Sequence, residues 1–289
     1  MSVVERTEHL PVVVYTPASQ LRNPRLLFAS MWGDLKASRE LAWRLFVRDV
    51  SAQYRQSLLG LFWAFIPPIV TGLVFIILHA QGVVNFGASA VPYPLYVLVG
   101  TILWQAFAQS LSAPLKAVVN AKPMLAKIRF PYEALIVSAV YGVLLNLLIS
   151  LTVLTALFLF YRAPMSWTLL WAPVAVLLLM MLGISIGLLL TPIGLLYTDV
   201  PAALPIITQI WFLITPIVYT PPQRYPFTVL AAINPVAPLL LGARDLIILG
   251  KSPDLATLVI AGAAISLLLF VSWLIYRIAL PIIIERISA

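Results

Sequence analysis

Residues 56–114 read QSLLGLFWAFIPPIVTGLVFIILHAQGVVNFGASAVPYPLYVLVGTILWQAFAQSLSAP, with no charged side chain. A charge at the centre of a bilayer costs at least ~2.5–3.5 kcal/mol, so lipid tolerates such a stretch and water does not require it. Further uncharged stretches follow at 134–161, 163–198, 200–223 and 255–276. The chain is expected to live in a membrane. Composition agrees: 62% of residues are hydrophobic and 10% charged, against about 25% charged in soluble domains. With 289 residues there is room for several spans and short polar segments, not for a large second domain. The absence of cysteine excludes disulfide and thiol chemistry. The net charge of +8 stands in short basic blocks beside apolar spans, the positive-inside pattern, so no nucleic-acid partner is expected. The run Leu10–Tyr15 is too short, and too interrupted by proline, for a secretory signal core.

The expected fold class is an all-α membrane protein with six transmembrane helices, an N-terminal amphipathic interface helix, and short re-entrant helices between spans 5 and 6. A span needs roughly 20 apolar residues. The candidates are 61–82, 95–115, 134–161, 168–191, 203–220 and 256–277. Pro67 and Pro68 should kink the first, and Pro216 interrupts the fifth. Residues 1–38 read as an extended cytoplasmic tail. Residues 39–60 read as the interface helix: Trp43, Val47, Val50 and Tyr54 share one face, and Arg44, Arg48 and Arg55 form a basic stripe beside it. Residues 61–289 are the six-span domain. Its segment at about 221–254 contains Phe227–Ile233 and Val236–Leu249, each too short to span, joined by Asn234-Pro235. Short helices at membrane depth must be covered by protein, hence the re-entrant reading. With both termini inside, fourteen of the 18 Lys and Arg are cytoplasmic and four are outside, which sets the orientation.

No catalytic or metal-binding constellation is visible. His9 and His79 are isolated, and Gly250-Lys251-Ser252 lacks the glycine and the strand of a phosphate loop, since position 245 is Asp. If ATP drives this protein, another chain binds it. The second-to-third loop, about 116–132, mixes cations with bulky apolar residues. Asn120, Lys122, Met124, Leu125, Lys127, Ile128, Arg129 and Phe130 read as a docking surface for a cytoplasmic partner, apolar anchors within a polar rim. Arg44, Arg48 and Arg55 offer forks that match the phosphate oxygens of an anionic headgroup. Trp63, Phe65, Trp104, Phe107, Trp211, Phe212 and Tyr219 lie inside or near span ends. Aromatic faces there would line a passage along which sugar rings slide. The pair Arg244-Asp245, in an apolar outer helix, is expected to pin the re-entrant segment.

Four segments carry a family resemblance. Residues 48–63, RDVSAQYRQSLLGLFW, resemble the N-terminal signature of permease subunits of polysaccharide-exporting type-2 ABC transporters, the O-antigen, capsule and teichoic-acid exporters. Lys127-Ile128-Arg129-Phe130-Pro131 resembles that family's coupling loop. Thr215-Pro216-Ile217-Val218-Tyr219 resembles the end of its fifth span. Asn234-Pro235 followed by Arg244 resembles its outer re-entrant helices. The similarity runs from about residue 39 to the C-terminus. Where the family often has Arg-Asp between spans 4 and 5, this chain has Thr198-Asp199. The long tail with Tyr15-Thr16-Pro17 is most similar to the O-antigen branch.

The resemblance implies a homodimer in the bacterial inner membrane, bound to two copies of a cytoplasmic ABC ATPase that holds ATP and Mg. No cofactor is implied on this chain, and it is not itself an enzyme. Lipid-linked polysaccharide would arrive beside Arg44, Arg48 and Arg55, pass the aromatic rings, and leave past an outer gate of Asn234, Pro235, Arg244 and Asp245. The alternatives are a type-2 exporter of a drug, haem or lipid, a self-sufficient carrier, and a membrane enzyme of lipid-linked sugars. The carrier is disfavoured by the lack of ionisable residues in mid-span. The enzyme is disfavoured by the scarcity of carboxylates at the interfaces.

Overall fold

A computed structural model describes residues 24–55, 62–63, 65–82, 92–125, 127, 130–163, 166–219, 233–250 and 254–288. The described residues are helical, with no strand. In chain order the helices are α1 (Pro24–Tyr54), α2 (Ile66–Ala80), α3 (Tyr93–Leu125), α4 (Glu133–Tyr161), α5 (Ala172–Leu196), α6 (Asp199–Ile214), α7 (Val236–Arg244) and α8 (Leu255–Ser288). A short 3-10 turn, Trp167–Trp171, leads into α5, and a π-helical turn, Asp245–Leu249, extends α7. Among the described residues, four helical segments are long and apolar enough to cross a membrane: α3, α4, the 3-10 turn with α5, and α8. α2 and α6 are shorter apolar helices. Each of the six expected spans thus coincides with a helix, but two of them are short.

Two boundaries differ from expectation. The helix expected from residue 39 begins at Pro24, a residue whose fixed φ suits the first helical turn. Residues 24–38 are therefore helix, not extended tail. The end of the expected interface helix, 56–60, lies outside the described residues, as does 1–23. In the second-to-third connection α3 continues to Leu125, so most of the expected loop is helix.

α3 is the central post. Leu95, Val97, Val99, Ile102, Leu103, Phe107, Leu111 and Leu115 point to several sides of it and all are buried, as befits a helix surrounded by others. α5 approaches it closely through Gly183 and Gly187. A Cβ on Gly183 would lie 2.7 Å from the Phe107 carbonyl oxygen, and one on Gly187 would lie 2.3 Å from that of Leu111. Small residues four apart let two helix backbones touch, the usual source of packing energy where lipid removes the hydrophobic drive between helices. α4 is tied to α3 by the Asn146 amide, which donates to the Gln109 side-chain oxygen at 2.9 Å.

The bundle has two distinct ends. At one, Tyr93 and Tyr96 of α3, the 3-10 turn, α7 and residues 215–219 come together. At the other, Ala42 and Leu45 of α1 pack with Leu125, Ala134, Leu135, Leu195, Tyr276 and Leu280 in a separate apolar cluster.

Candidate functional site

At the first end, α6 stops at Ile214 because Pro216 follows. A residue before proline is driven out of the helical region, and Thr215 sits at φ −81°, ψ 131°. Residues 215–219 form a non-helical strap, with Thr215, Ile217 and Val218 buried. Its carbonyls have lost their helical partners and are recovered by side chains. Arg244 Nη1 donates to the Pro216 oxygen at 3.2 Å and to the Ile217 oxygen at 3.1 Å. The Tyr93 hydroxyl donates to Val218 O at 3.1 Å, and the Tyr96 hydroxyl to Tyr219 O at 3.3 Å. The Arg244 guanidinium also lies 3.9 Å from the centroid of the Tyr96 ring. Irregular backbone at membrane depth survives only with such partners, since a buried orphan group costs about 1–3 kcal/mol.

Asn234 fastens the start of the strap. Its amide nitrogen donates to Thr215 Oγ1 at 2.8 Å, and its oxygen accepts from Trp211 Nε1 and from the Val236 N–H, both at 3.0 Å. One side chain thereby joins α6, the strap and the first turn of α7. Pro235 is exposed just before α7, and Asp245 is half-buried at the start of the π-helical turn. Arg244 is 3% exposed and ties the end of α7 to the strap carbonyls. The strap rests directly on α3, where a Cβ on Gly100 would come 2.6 Å from Ile217 O. Residues 220–232, with the expected stretch at 227–233 apart from Ile233, lie outside the described residues.

Four of the seven expected passage aromatics form one cluster between α3 and α6. Trp104 meets Phe107, Trp211 and Phe212 at centroid distances of 5.3, 6.2 and 5.8 Å, and Phe107 meets Trp211 at 5.2 Å. Phe107 is 0% exposed and Trp104 6%. In this conformation Phe107 is core, its faces occupied by other rings, and it lines nothing. Spacing alone does not say which face of α3 is covered. Trp211 and Phe212 are half-buried, Trp63 is exposed, and Phe65 is half-buried against Phe62. Tyr219 is half-buried, its hydroxyl donating to Leu213 O and Ile214 O at 3.0 and 3.1 Å.

At the opposite end, Asn120 and Lys122 are exposed on the last turns of α3, Met124 is half-buried, and Lys127 is exposed. Leu125 is buried in the apolar cluster there, so it is a core residue rather than a docking anchor. Phe130 is half-buried, 6.4 Å from the Tyr132 ring. Ile128 and Arg129 lie outside the described residues. Immediately after this connection stands a buried ion cluster. Arg277 of α8 donates from Nη1 to Glu133 Oε1 of α4 at 2.6 Å, and from Nη2 to Asp34 of α1. The neighbouring Tyr276, fully buried, donates its hydroxyl to Tyr132 O at 3.2 Å. Three helices remote in sequence are thus clamped beside the connection between α3 and α4.

The interface-helix reading meets a mixed result. α1 turns Met31, Ser38, Ala42 and Leu45 inward. The expected apolar stripe points outward instead, with Trp43 56% and Val47 43% exposed, and Trp43 and Phe46 edge onto Tyr141 of α4. Two of the basic residues are paired on their own helix: Arg44 with Glu40 at 2.6 Å and Arg48 with Asp49 at 2.8 Å. Such exposed pairs contribute ~0–1 kcal/mol and exchange readily for another anion. Arg55 is exposed at the helix end.

Several residues of these constellations escaped sequence reasoning. Tyr93 and Tyr96 look like belt aromatics, Arg277 like a topogenic charge, and Asp34 like a tail residue. Only Glu133 carried a signal, as a carboxylate at the mouth of an apolar stretch.

Comparison with known proteins follows the same lines. A family model described as "ABC-2 type transporter" matches residues 40–248. An O-antigen export system permease protein RfbA of Myxococcus xanthus is 28% identical over 243 residues, covering 82% of this chain and 90% of that protein. A protein of the same name from Klebsiella pneumoniae is 22% identical over 209 residues, covering 70% and 78%.

Proposed function

The chain belongs to the ABC-2 type transporter family, and from that premise we propose that it is the membrane subunit of an exporter that carries polyprenyl-diphosphate-linked polysaccharide, of the O-antigen kind, outward across the bacterial inner membrane. The single observation that carries this reading is the match along most of the chain to two permeases named for O-antigen export. Two copies pair in the membrane, each with one ATPase subunit that binds ATP and Mg. Both termini face the cytoplasm and six helices cross. α2 and α6 have 15 and 16 residues, ~22–24 Å at 1.5 Å per residue, short of a ~30 Å core. For α6 the turn of 215–219 that follows it is buried, so the path of that span continues past the helix end as irregular backbone covered by protein.

The ends divide the work. Lys122, Met124, Lys127 and Phe130 meet the ATPase, and the outward apolar stripe of α1 lies in the headgroup layer. There Arg44, Arg48 and Arg55 receive the diphosphate, the first two by exchanging their carboxylate partners for it. Trp63, Phe65, Trp104 and Phe212 are passed on the way out. The strap held by Arg244 and Asn234 forms the outer gate.

The test is recovery of the tagged chain from its own membranes in mild detergent, with partners identified and counted by mass spectrometry. A P-loop ATPase at one copy per chain is the expected result. Recovery of the chain alone, under conditions that keep other membrane complexes whole, refutes the exporter. Loss of surface polysaccharide on deletion identifies the cargo, and unchanged surface polysaccharide with altered drug, haem or lipid efflux rejects it.

A further inference from the structure

A groove of about 330 Å³ opens between α2, α3 and α6. Its lining is unusual for helices this apolar. It is lined by three threonines, Thr71, Thr101 and Thr208, and two glutamines, Gln105 and Gln209, beside Trp104 and Phe212. Thr101 and Thr208 donate back to carbonyls of their own helices, so their oxygens retain acceptor capacity only. The amides of Gln105 and Gln209 make no hydrogen bond to any described residue. The contrast lies one turn along α3, where Gln109 is satisfied by Asn146. An amide in a membrane helix is costly unless something hydrogen-bonds it, and two unpaired ones converging on one groove call for a polar occupant.

The same lining says which polar occupant. Among the described residues that line the groove there is no cation and no carboxylate. Along the chain the nearest formal charges on its walls are Lys116 of α3, eleven residues from Gln105, and Asp199 of α6, ten residues from Gln209. At 1.5 Å per residue both lie ~15 Å away along their helices. The Arg244 guanidinium, behind the turn of α3 next to Thr101, is already committed to the Pro216 and Ile217 carbonyls and the Tyr96 ring, so an anionic sugar would lose its hydration and meet no cation in the groove lining itself. A neutral sugar asks only for donors and acceptors to its hydroxyls and an apolar aromatic surface for its C–H face.

We propose that the groove between α2, α3 and α6 is a subsite for uncharged sugar residues, in which the Gln105 and Gln209 amides hydrogen-bond glycan hydroxyls beside Trp104 and Phe212. It rests on the exporter reading and narrows the cargo to glycans with neutral repeating units. A neutral hydrogen bond is worth ~1 kcal/mol, so removing both amides should weaken the interaction about tenfold or more.

The experiment uses the chain with its ATPase partner in lipid nanodiscs, with labelled maltohexaose and hexagalacturonate as probes in equilibrium dialysis. The wild type should bind maltohexaose at least about fivefold better than hexagalacturonate. Gln105→Leu/Gln209→Leu should lose that binding about tenfold. Gln209→Lys, which places a cation in the groove, should shift preference toward hexagalacturonate among variants that reach the membrane at the wild-type level. Equal binding of both probes by the wild type overturns the inference. So does unchanged maltohexaose binding in the double variant, or a double variant whose only defect is loss of the two-copy assembly, which would make the groove a contact between chains. Surface polysaccharide is measured in parallel in cells. If the wild type exports none, the exporter reading itself fails. If it exports normally and the variants bind as wild type, only the subsite fails.

Discussion

Replacing Arg277 with Met tests the clamp that joins α1, α4 and α8. Methionine keeps the apolar stem and removes the guanidinium, stranding Glu133 and Asp34 near each other. The Glu133 side chain is 6% exposed, the Arg277 side chain 9% and the Asp34 side chain 21%. Removing one member of a buried pair costs ~3–5 kcal/mol, mostly through the charge left behind. Asp34 can turn to water and contributes little, so about 3 kcal/mol is expected for Arg277→Met. The double variant Glu133→Gln/Arg277→Met removes the stranded charge as well and should recover about 2 kcal/mol of that, because a buried pair often contributes little net stability over neutral groups of similar size. Arg286→Met, on an exposed position of the same helix, should stay within about 0.5 kcal/mol of wild type. Equilibrium unfolding in mixed dodecyl-sulfate micelles, followed by helical circular dichroism, reads all three. An Arg277→Met protein as stable as wild type would refute the reasoning, as would a double variant no more stable than the single.

Other consequences can be checked with the same preparations. Arg244→Gln removes the bonds to the Pro216 and Ile217 carbonyls, so hydrogen exchange in peptides spanning 215–219 should quicken at least about tenfold, while peptides of α4 stay unchanged. Asn234→Leu breaks three hydrogen bonds at once and should destabilise the protein by about 2–3 kcal/mol in the micelle assay. Gly187→Val forces a Cβ into the Leu111 carbonyl and should cost about 1–3 kcal/mol or more, with no compensation available from backbone. Replacing Lys127 and Phe130 with Gly and Ser should abolish surface polysaccharide while leaving the chain in the membrane at its usual level, as seen by immunoblot of fractionated cells.

Much of this protein was legible along the chain because lipid acts on each residue separately. A bilayer rejects charge residue by residue, so uncharged stretches mark the helices of α2 to α6 and α8, and a single Pro216 marks where α6 must stop. The segments 48–63 and 215–219 likewise carry their family resemblance in local order. The partners of those marks were not legible. Arg277 meets Asp34 across 243 positions and Glu133 across 144, and Tyr93 meets Val218 across 125. No periodicity links residues so far apart, and only packing brings them within hydrogen-bonding reach. The inward face of α3 was undecided for the same reason: its residues are apolar on all sides, so pattern cannot tell core from lining, and Phe107 was read as lining when it is core. The chain by itself determined where helix must cross and where helix must break. The tertiary structure decided which carbonyls Arg244 recovers, which rings are covered, and which glutamines meet no hydrogen-bond partner among the described residues, because those are properties of neighbours and not of sequence.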